Sequence, residues 1–393
     1  MDLEFGQHQF LKKDTSCPLN STAIERIIAR GLKQNIRNEI AIEPFLSMVN
    51  FESENFSPDV DPTRACLAFG DRAIPKIKRE LLSKDKTIAK RALSSLLDVV
   101  HDPEQAVEAL RLQIIPRLVR LLSSDDVFVR QHVLMVLQVL SMQPGAKLTI
   151  VKNQPIMSSL SVLMMDSDRN VRLNAAKTLL ALAAWYFGVE ELIKDYYVYL
   201  VINQLEIELD NDIAVALMQT LILLLDHSNE AKYQAMTHRA IELSVYLDHT
   251  EAQLRALGCE LVAQLARLPE GKEEIVLHRC DILAKLTCLL DDENEEVQNH
   301  SAEALMFVLV SKSIKNHCLK NLPIMCKLLR CAQYFRAPGL QMNALKGLTC
   351  LAEHPQAREF LVHKINEIEA IRVANQLVDS HKKILLTTIR TVI

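Results

Sequence analysis

One pattern recurs down this chain at a nearly constant step, and it constrains the fold more than any other feature. The stretch Asp168-Arg-Asn-Val-Arg-Leu-Asn-Ala-Ala-Lys-Thr-Leu-Leu-Ala-Leu-Ala183 opens with a polar cap, Asp168 to Asn170. It then places Val171, Ala175, Ala176, Leu179, Leu182 and Ala183 on one stripe at helical spacing. With Val171 as anchor, the equivalent positions are Ile88, Val129, Ile213, Leu254, Val297, Leu340 and Ile384, in steps of 41 to 44 residues. Five residues after each anchor stand Leu93, Leu134, Ala176, Met218, Cys259, Ala302, Leu345 and Ile389. Eight residues after stand Leu96, Leu137, Leu179, Leu221, Val262, Leu305, Leu348 and Val392. All twenty-four positions are apolar, which chance does not produce.

A second column supports the same register. Pro103, Pro144, Pro269 and Pro355 stand fifteen residues after their anchors. Proline suits the first turn of a helix, where its missing N–H costs nothing, and it stops the preceding helix from running on. Leucine-rich segments at Ile74 and Ile115 start 41 residues apart, and Ile156, Ile241, Ile282 and Pro323 mark further copies. Each unit therefore reads as a short helix (103–112 in the first), a second helix (about 116–122 in the next) and a long third helix. That is a three-helix repeat at the armadillo/HEAT period. One unit cannot bury its stripe alone, so neighbours must stack into a shared core. The predicted fold is an all-α, right-handed superhelical armadillo/HEAT-like solenoid. Its repeats lie near 65–112, 113–153, 154–195, 196–238, 239–279, 280–321 and 322–364, with a partial C-terminal cap at 365–393. Residues 1–60 read as a separate N-terminal extension: a possible capping box, Thr22 to Glu25, followed by a polar, proline-marked linker, Phe51 to Pro62.

Composition narrows the function classes. Net charge is −4 and no basic run exceeds two residues, which argues against a nucleic-acid groove. No apolar run approaches a membrane span, and the first ten residues lack a signal-peptide pattern, so a soluble intracellular protein is expected. Nine cysteines show no C-x-x-C pair; Cys259, Cys288, Cys318, Cys326, Cys331 and Cys350 lie in or beside apolar helical runs and read as small reduced hydrophobes.

No nucleotide-binding or catalytic signature occurs, and the expectation is a non-enzyme with no cofactor, metal or small-molecule substrate. The best metal candidate, His317-Cys318 with Cys326 and Cys331, has the wrong spacing for a closed zinc site, and Cys326 reads as lying on an apolar face. The acidic run Asp291 to Glu296 reads as a solvated loop that favours the start of the next helix. Trp185, Tyr186 and Phe187 read as repeat packing at the end of the third long helix, with a partner anchor as the alternative.

Function then falls to the surface. The third helices should line the concave face, showing positions three, six and ten residues after each anchor. The first column is Arg91, His132, Asn174, Ala216, Leu257, His300 and Asn343; the second is Ser94, Met135, Lys177, Gln219, Glu260, Glu303 and Lys346; the third is Asp98, Val139, Ala181, Leu223, Gln264, Phe307 and Cys350. The tryptophan and asparagine clamp of nuclear-import adaptors is absent from the second and third columns, and the first keeps only two asparagines, Asn174 and Asn343. A groove without a repeating code suits one fixed partner. The candidate partner-binding residues are Arg91, His132, Met135, Asn174, Lys177, His300, Glu303, Asn343 and Lys346.

Four segments carry a resemblance: Ala68-Phe-Gly-Asp-Arg-Ala-Ile-Pro-Lys-Ile-Lys-Arg-Glu-Leu81, His101-Asp-Pro-Glu104, Glu303-Ala-Leu-Met-Phe307 and Asn343-Ala-Leu-Lys-Gly-Leu-Thr-Cys-Leu-Ala-Glu353. Over roughly residues 60–365 the chain resembles the armadillo-repeat radial spoke family of motile cilia, the radial spoke head 14 homologues. The resemblance implies a structural subunit of the axonemal radial spoke, with other spoke and axonemal proteins as partners, localised to the cytoskeleton of cilia and flagella. The residues alone support a rigid interaction scaffold. The alternative is a soluble adaptor that recruits a protein cargo or assembles ciliary complexes.

Overall fold

The computed structural model describes residues 72–277, 282–321 and 323–391. The predicted extension at 1–60 and Val392 lie outside them. Among the described residues every regular element is helical and no strand occurs. The long helices are α1 (Lys86–Val99), α2 (Val127–Leu140), α3 (Arg169–Ala183), α4 (Asn211–His227), α5 (Ala252–Leu265), α6 (Glu295–Val308), α7 (Pro338–Ala352) and α8 (Gln376–Arg390). Each packs on the long helix before and after it in the chain, with pairs of shorter helices between, and this stacking is an α-solenoid. The short helices Pro103–Arg111 and Ile115–Leu122 fall within a residue of their predicted bounds, and helices begin at Pro103, Pro144, Pro269 and Pro355 as expected.

The start of each long helix is written three residues before the anchor. The side chains of Asp85, Asp126, Asp168, Asp210, Asn294 and Asn375 each accept a hydrogen bond from a backbone N–H of the first turn. Each cap stabilises its helix by about 1 kcal/mol. Past the cap, the anchors Val171, Ile213, Leu254, Val297 and Leu340 are buried, and so is every member of the column five residues on. Full burial of one such aliphatic side chain contributes roughly 1.5–3 kcal/mol.

Two anchors depart from the pattern. Ile88 is 40% exposed, because no long helix precedes α1 among the described residues to cover it. Ile384 is 50% exposed because the register of the last unit is six residues earlier than the apolar spacing suggests. Asn375 caps α8 at the N–H of Val378, and Val378, Leu385 and Ile389 form the buried stripe. The true step from Leu340 is 38 residues, and Ile384 points away from the core.

The fifth unit carries the largest irregularity. Its second helix, Ala240–Asp248, is a nine-residue 3-10 helix, far longer than such helices usually run. Its burial follows the three-residue turn: Ala240, Leu243 and Tyr246 form one buried row and Ile241, Ser244 and Leu247 another, while Val245 and Asp248 are exposed. The row continues into the preceding unit, where the Leu205 carbonyl accepts from Tyr246 Oη at 2.9 Å. One unit earlier, Tyr197 Oη donates to the Met157 carbonyl at 2.5 Å in the same way. Close packing also demands glycine at Gly188 and Gly271, where a β-carbon would stand 2.0 and 2.1 Å from the carbonyl oxygens of Leu182 and Leu265.

Candidate protein-interaction surface

The outer face of the long helices holds most of the predicted surface residues, but not evenly. Arg91 and Lys177 are exposed, and Met135, Lys346, Asn174, His132 and Glu303 are half-buried. The column six residues after each anchor is thus the most accessible. The column at three residues sinks toward the core in the later units, where Ala216, Leu257 and Asn343 are buried. Asn343 is a correction: its Nδ2 donates to Asn299 Oδ1 at 3.2 Å, joining α7 to α6, so it is a repeat contact and not a free amide. His132 is also tied locally, stacked on Phe128 with ring centroids 3.7 Å apart and its Nδ1–H donating to the Phe128 carbonyl at 2.9 Å. Lys90 Nζ also lies over the Phe128 ring, 5.3 Å from its centroid.

The face changes character along its length. Across α1–α3 it presents Arg91, His132 and Lys177. Across α4–α6 it presents an ionic cluster built from Asp226, Glu260, Arg267, His300 and Glu303. Arg267 Nη1 donates to Asp226 Oδ1 at 2.9 Å, its Nη2 lies 4.0 Å from Glu303 Oε1, and its guanidinium sits 5.0 Å over the Phe307 ring. Gln264 Nε2 donates to the same Asp226 oxygen at 3.2 Å. His300 Nδ1 lies 3.5 Å from Glu303 Oε2. The Glu303 carboxylate raises the His300 pKa against the opposing effect of burial, and Glu260 adds to the rise. Burial raises the Glu260 pKa, with Glu303 and Asp226 pushing the same way. For Asp226 burial acts upward, yet Gln264 and Arg267 outweigh it and hold the carboxyl below its ordinary range. The outer face therefore exposes the cations Arg91 and Lys177 on α1–α3, holds an internally paired ionic cluster on α4–α6, and carries Lys346 on α7 beyond the cluster.

A second polar system on the same helices was missed by reading apolar columns. One residue after the anchor stand Arg130, Arg172 and Arg255, and five before the next anchor stand Asp166, Glu208 and Asp292. Each arginine makes a two-pronged pair across the joint: Arg130 with Asp166 at 2.8 and 3.1 Å, Arg172 with Glu208 at 3.0 and 3.2 Å, and Arg255 with Asp292 at 2.9 and 2.9 Å. The remaining guanidinium nitrogen donates back to the loop of its own unit, at the carbonyls of Ser124, Asp166 and His249. Gln341 performs the same office in the seventh unit, donating to the Ala332 and Arg372 carbonyls and accepting from the Ala374 N–H. The sequence signal was present as a polar column repeating at the same period as the apolar ones. The reading of Asp291–Glu296 as a solvated run that favours the next helix holds for five of its six residues, which are exposed, with Glu295 and Glu296 in the first turn of α6; Asp292 is the exception. Asp292 is a buried staple partner, Asp291 pairs with Lys327 at 3.0 Å, and Asn294 is the cap of α6.

Other local expectations sort out by position. Cys259, Cys318 and Cys331 are buried, and burial pushes the Cys331 thiol up to about 11. Cys288 and Cys326 are exposed instead, because they sit on the outer sides of their second helices. His317, Cys318, Cys326 and Cys331 do not converge, and no cluster of three or more potential metal ligands occurs among the described residues. Trp185 does not end α3 but precedes the next helix, Tyr186–Lys194, with its ring edge-on to Phe187 at 5.2 Å. No described helix is long and apolar enough to cross a membrane.

No protein-family model matches the chain. Solved structures do. An engineered protein superposes with a TM-score of 0.69 at 19% identity, covering 80% of this chain and 78% of its own. A computationally designed armadillo repeat protein for modular peptide recognition gives 0.55 at 19% identity, covering 60% and 99%. A designed armadillo repeat protein in complex with the peptide (KR)4 gives 0.53 at 18% identity, again covering 60% and 99%. Together with the stacking described above, these place the chain among all-α solenoids of the armadillo type.

Proposed function

We propose that this protein is a non-enzymatic scaffold that binds a protein partner along the outer face of its long helices. The observation that carries this reading is the contrast on that face: stable stacking underneath, and above it Arg91, Met135, Lys177 and Lys346 without a repeating motif. A code-free face selects one partner and not a class of interchangeable peptides. The exposed Arg91 and Lys177 call for acidic partner residues against α1–α3, since complementary charge fixes register and orientation. The armadillo-type fold lends itself to such a role, as the designed relative holding (KR)4 illustrates for its own sequence.

The resemblance in residues 68–81, 101–104, 303–307 and 343–353 supports a finer reading. In it the scaffold is a subunit of the radial spoke in the axoneme of cilia and flagella, bound to other spoke and axonemal proteins and needed for motility. A stacked-helix rod suits that task because each repeat is held to its neighbours along the whole length. Mild-detergent extraction of isolated axonemes tests it. A spoke subunit stays with the axoneme, whereas a soluble cargo or assembly adaptor washes out, and recovery of the protein in the wash would replace the spoke by the adaptor. Loss of the protein should leave cilia assembled but beating abnormally; an unchanged waveform would overturn the motility role.

A further inference from the structure

The arginine staple is missing at the first joint, and the space it would occupy is open. The position of Arg130, Arg172 and Arg255 is taken there by Ala89, which is half-exposed. Between the first two units lies a cavity of about 370 Å³ that Ala89, Ser83, Asp125 and Asp126 help to line. The other joint with alanine at this position is different: Ala214 is 2% exposed, so its slot is closed by packing. The first slot keeps the loop carbonyl that the filled ones use, while the place of Asp166, Glu208 and Asp292, five residues before the next anchor, is held by Ser124. Ser83 stands six residues before Ala89, as Ser124, Asp166 and His249 stand six before their arginines, and the carbonyls of those three accept from the guanidinium. Leu121 and Val129 supply apolar wall for an aliphatic stem.

The charges at the slot are already partly arranged. Asp126 is committed, with one oxygen accepting from the Phe128 N–H and the other paired to Lys90 at 2.6 Å. Lys86 also lines the slot. Asp125 is exposed and forms no ion pair or hydrogen bond with the described residues. It is the carboxylate left for an incoming cation, and a planar fork meets a carboxylate and a carbonyl together better than an ammonium does.

We infer that the first joint is a binding slot for an arginine side chain presented by a partner protein, its guanidinium meeting the Ser83 carbonyl and the Asp125 carboxylate, one residue along from the position the staples use. The slot lies on the loop edge of the solenoid, apart from the outer face of the long helices, so it stands or falls independently of the function proposed above.

The test is methyl NMR on the full chain, following Leu121 and Val129 during titration with N-acetyl-arginine amide, N-acetyl-lysine amide and the neutral isostere N-acetyl-citrulline amide. Saturable shifts confined to these methyls are expected with arginine, with binding at least about tenfold weaker for citrulline, as loss of a charge-assisted pair implies, and weaker binding for lysine. Ala89→Arg should fill the slot from within and abolish the shifts. Asp125→Asn, which removes charge without bulk, should weaken arginine binding several-fold and covers the case in which Ala89→Arg fails to fold. Unsaturable shifts, equal response to citrulline, or full arginine binding by a folded Ala89→Arg variant would overturn the proposal.

Discussion

The loop edge and the outer face belong to the same long helices but are written in different ways. On the loop edge, the residue after the anchor is polar in most units, with alanine at Ala89 and Ala214, and Arg130, Arg172, Arg255 and Gln341 all bridge to the next unit. On the outer face, the residues six after the anchor run Ser94, Met135, Lys177, Gln219, Glu260, Glu303 and Lys346, with no shared chemistry. A residue that serves stacking meets the same environment in every unit and is held to the same type. A residue that meets a partner sees a different neighbour at every unit and is free to differ. Repetition therefore marks what holds this molecule together, and its breakdown marks what the molecule is for.

The comparison can be broken from its strongest side first. Leu179→Asp places an uncompensated carboxylate in the fully buried stripe of α3 and should cost more than about 5 kcal/mol, unfolding the central units. Circular-dichroism melting reads this directly, and an unchanged melt would refute the register. Arg172→Ala comes next. Glu208 is only 3% exposed at its side chain, and removing its partner leaves a buried charge. The loss should be about 2–4 kcal/mol, at the lower end if water enters. Arg172→Lys should recover only part of it, because the two-pronged pair is lost.

Smaller effects probe the outer face. A pKa raised in the folded state means that folding favours the protonated form, so both His300 and Glu260 stabilise the protein toward acid. The His300 contribution is complete below its unfolded value near 6.5 and fades as pH rises through its folded value. Ionised Glu260 costs stability above its raised value, so Glu260→Gln should raise the melting temperature at pH 8 and have little effect near pH 4. A pH-independent difference would contradict the assigned cause. The smallest change in stability is expected for Lys177→Ala, within about 0.5 kcal/mol by denaturant titration, because the side chain is exposed. Its effect should appear instead in partner binding. If it destabilised the fold as much as Arg172→Ala, the division between the two surfaces would be lost.

Much of the fold was legible because burial in a solenoid repeats. Val171, Leu134 and Leu305 each report the same environment, so periodicity sums a weak local preference into a firm one. The ends were not legible for the same reason. Ile384 continues the apolar step, yet the cap at Asn375 sets the register six residues earlier, and a cap is a single hydrogen bond that spacing alone does not weigh. The site was legible only as a list of outward positions. That Asn343 is spent on Asn299 while Lys177 is free depends on the approach of α6 and α7, and one helix's sequence does not contain its neighbour's distance. The staples were readable in principle, because Asp166, Glu208 and Asp292 recur, but a search for apolar columns passes over them.

The 3-10 helix at Ala240–Asp248 bears on how freely the units can be exchanged. Nine residues at about 2 Å each reach about 18 Å, where an α-helix would reach about 14 Å. Its two buried rows run the whole length of the helix at three-residue intervals, as its tighter turn requires. An α-helix of the same nine residues grafted in its place would end short. The units look like copies, but the fifth is not an interchangeable part. Deleting or transplanting repeats should be tolerated on either side of it before it is tolerated there, which makes the order of units, and not only their number, part of what this sequence specifies.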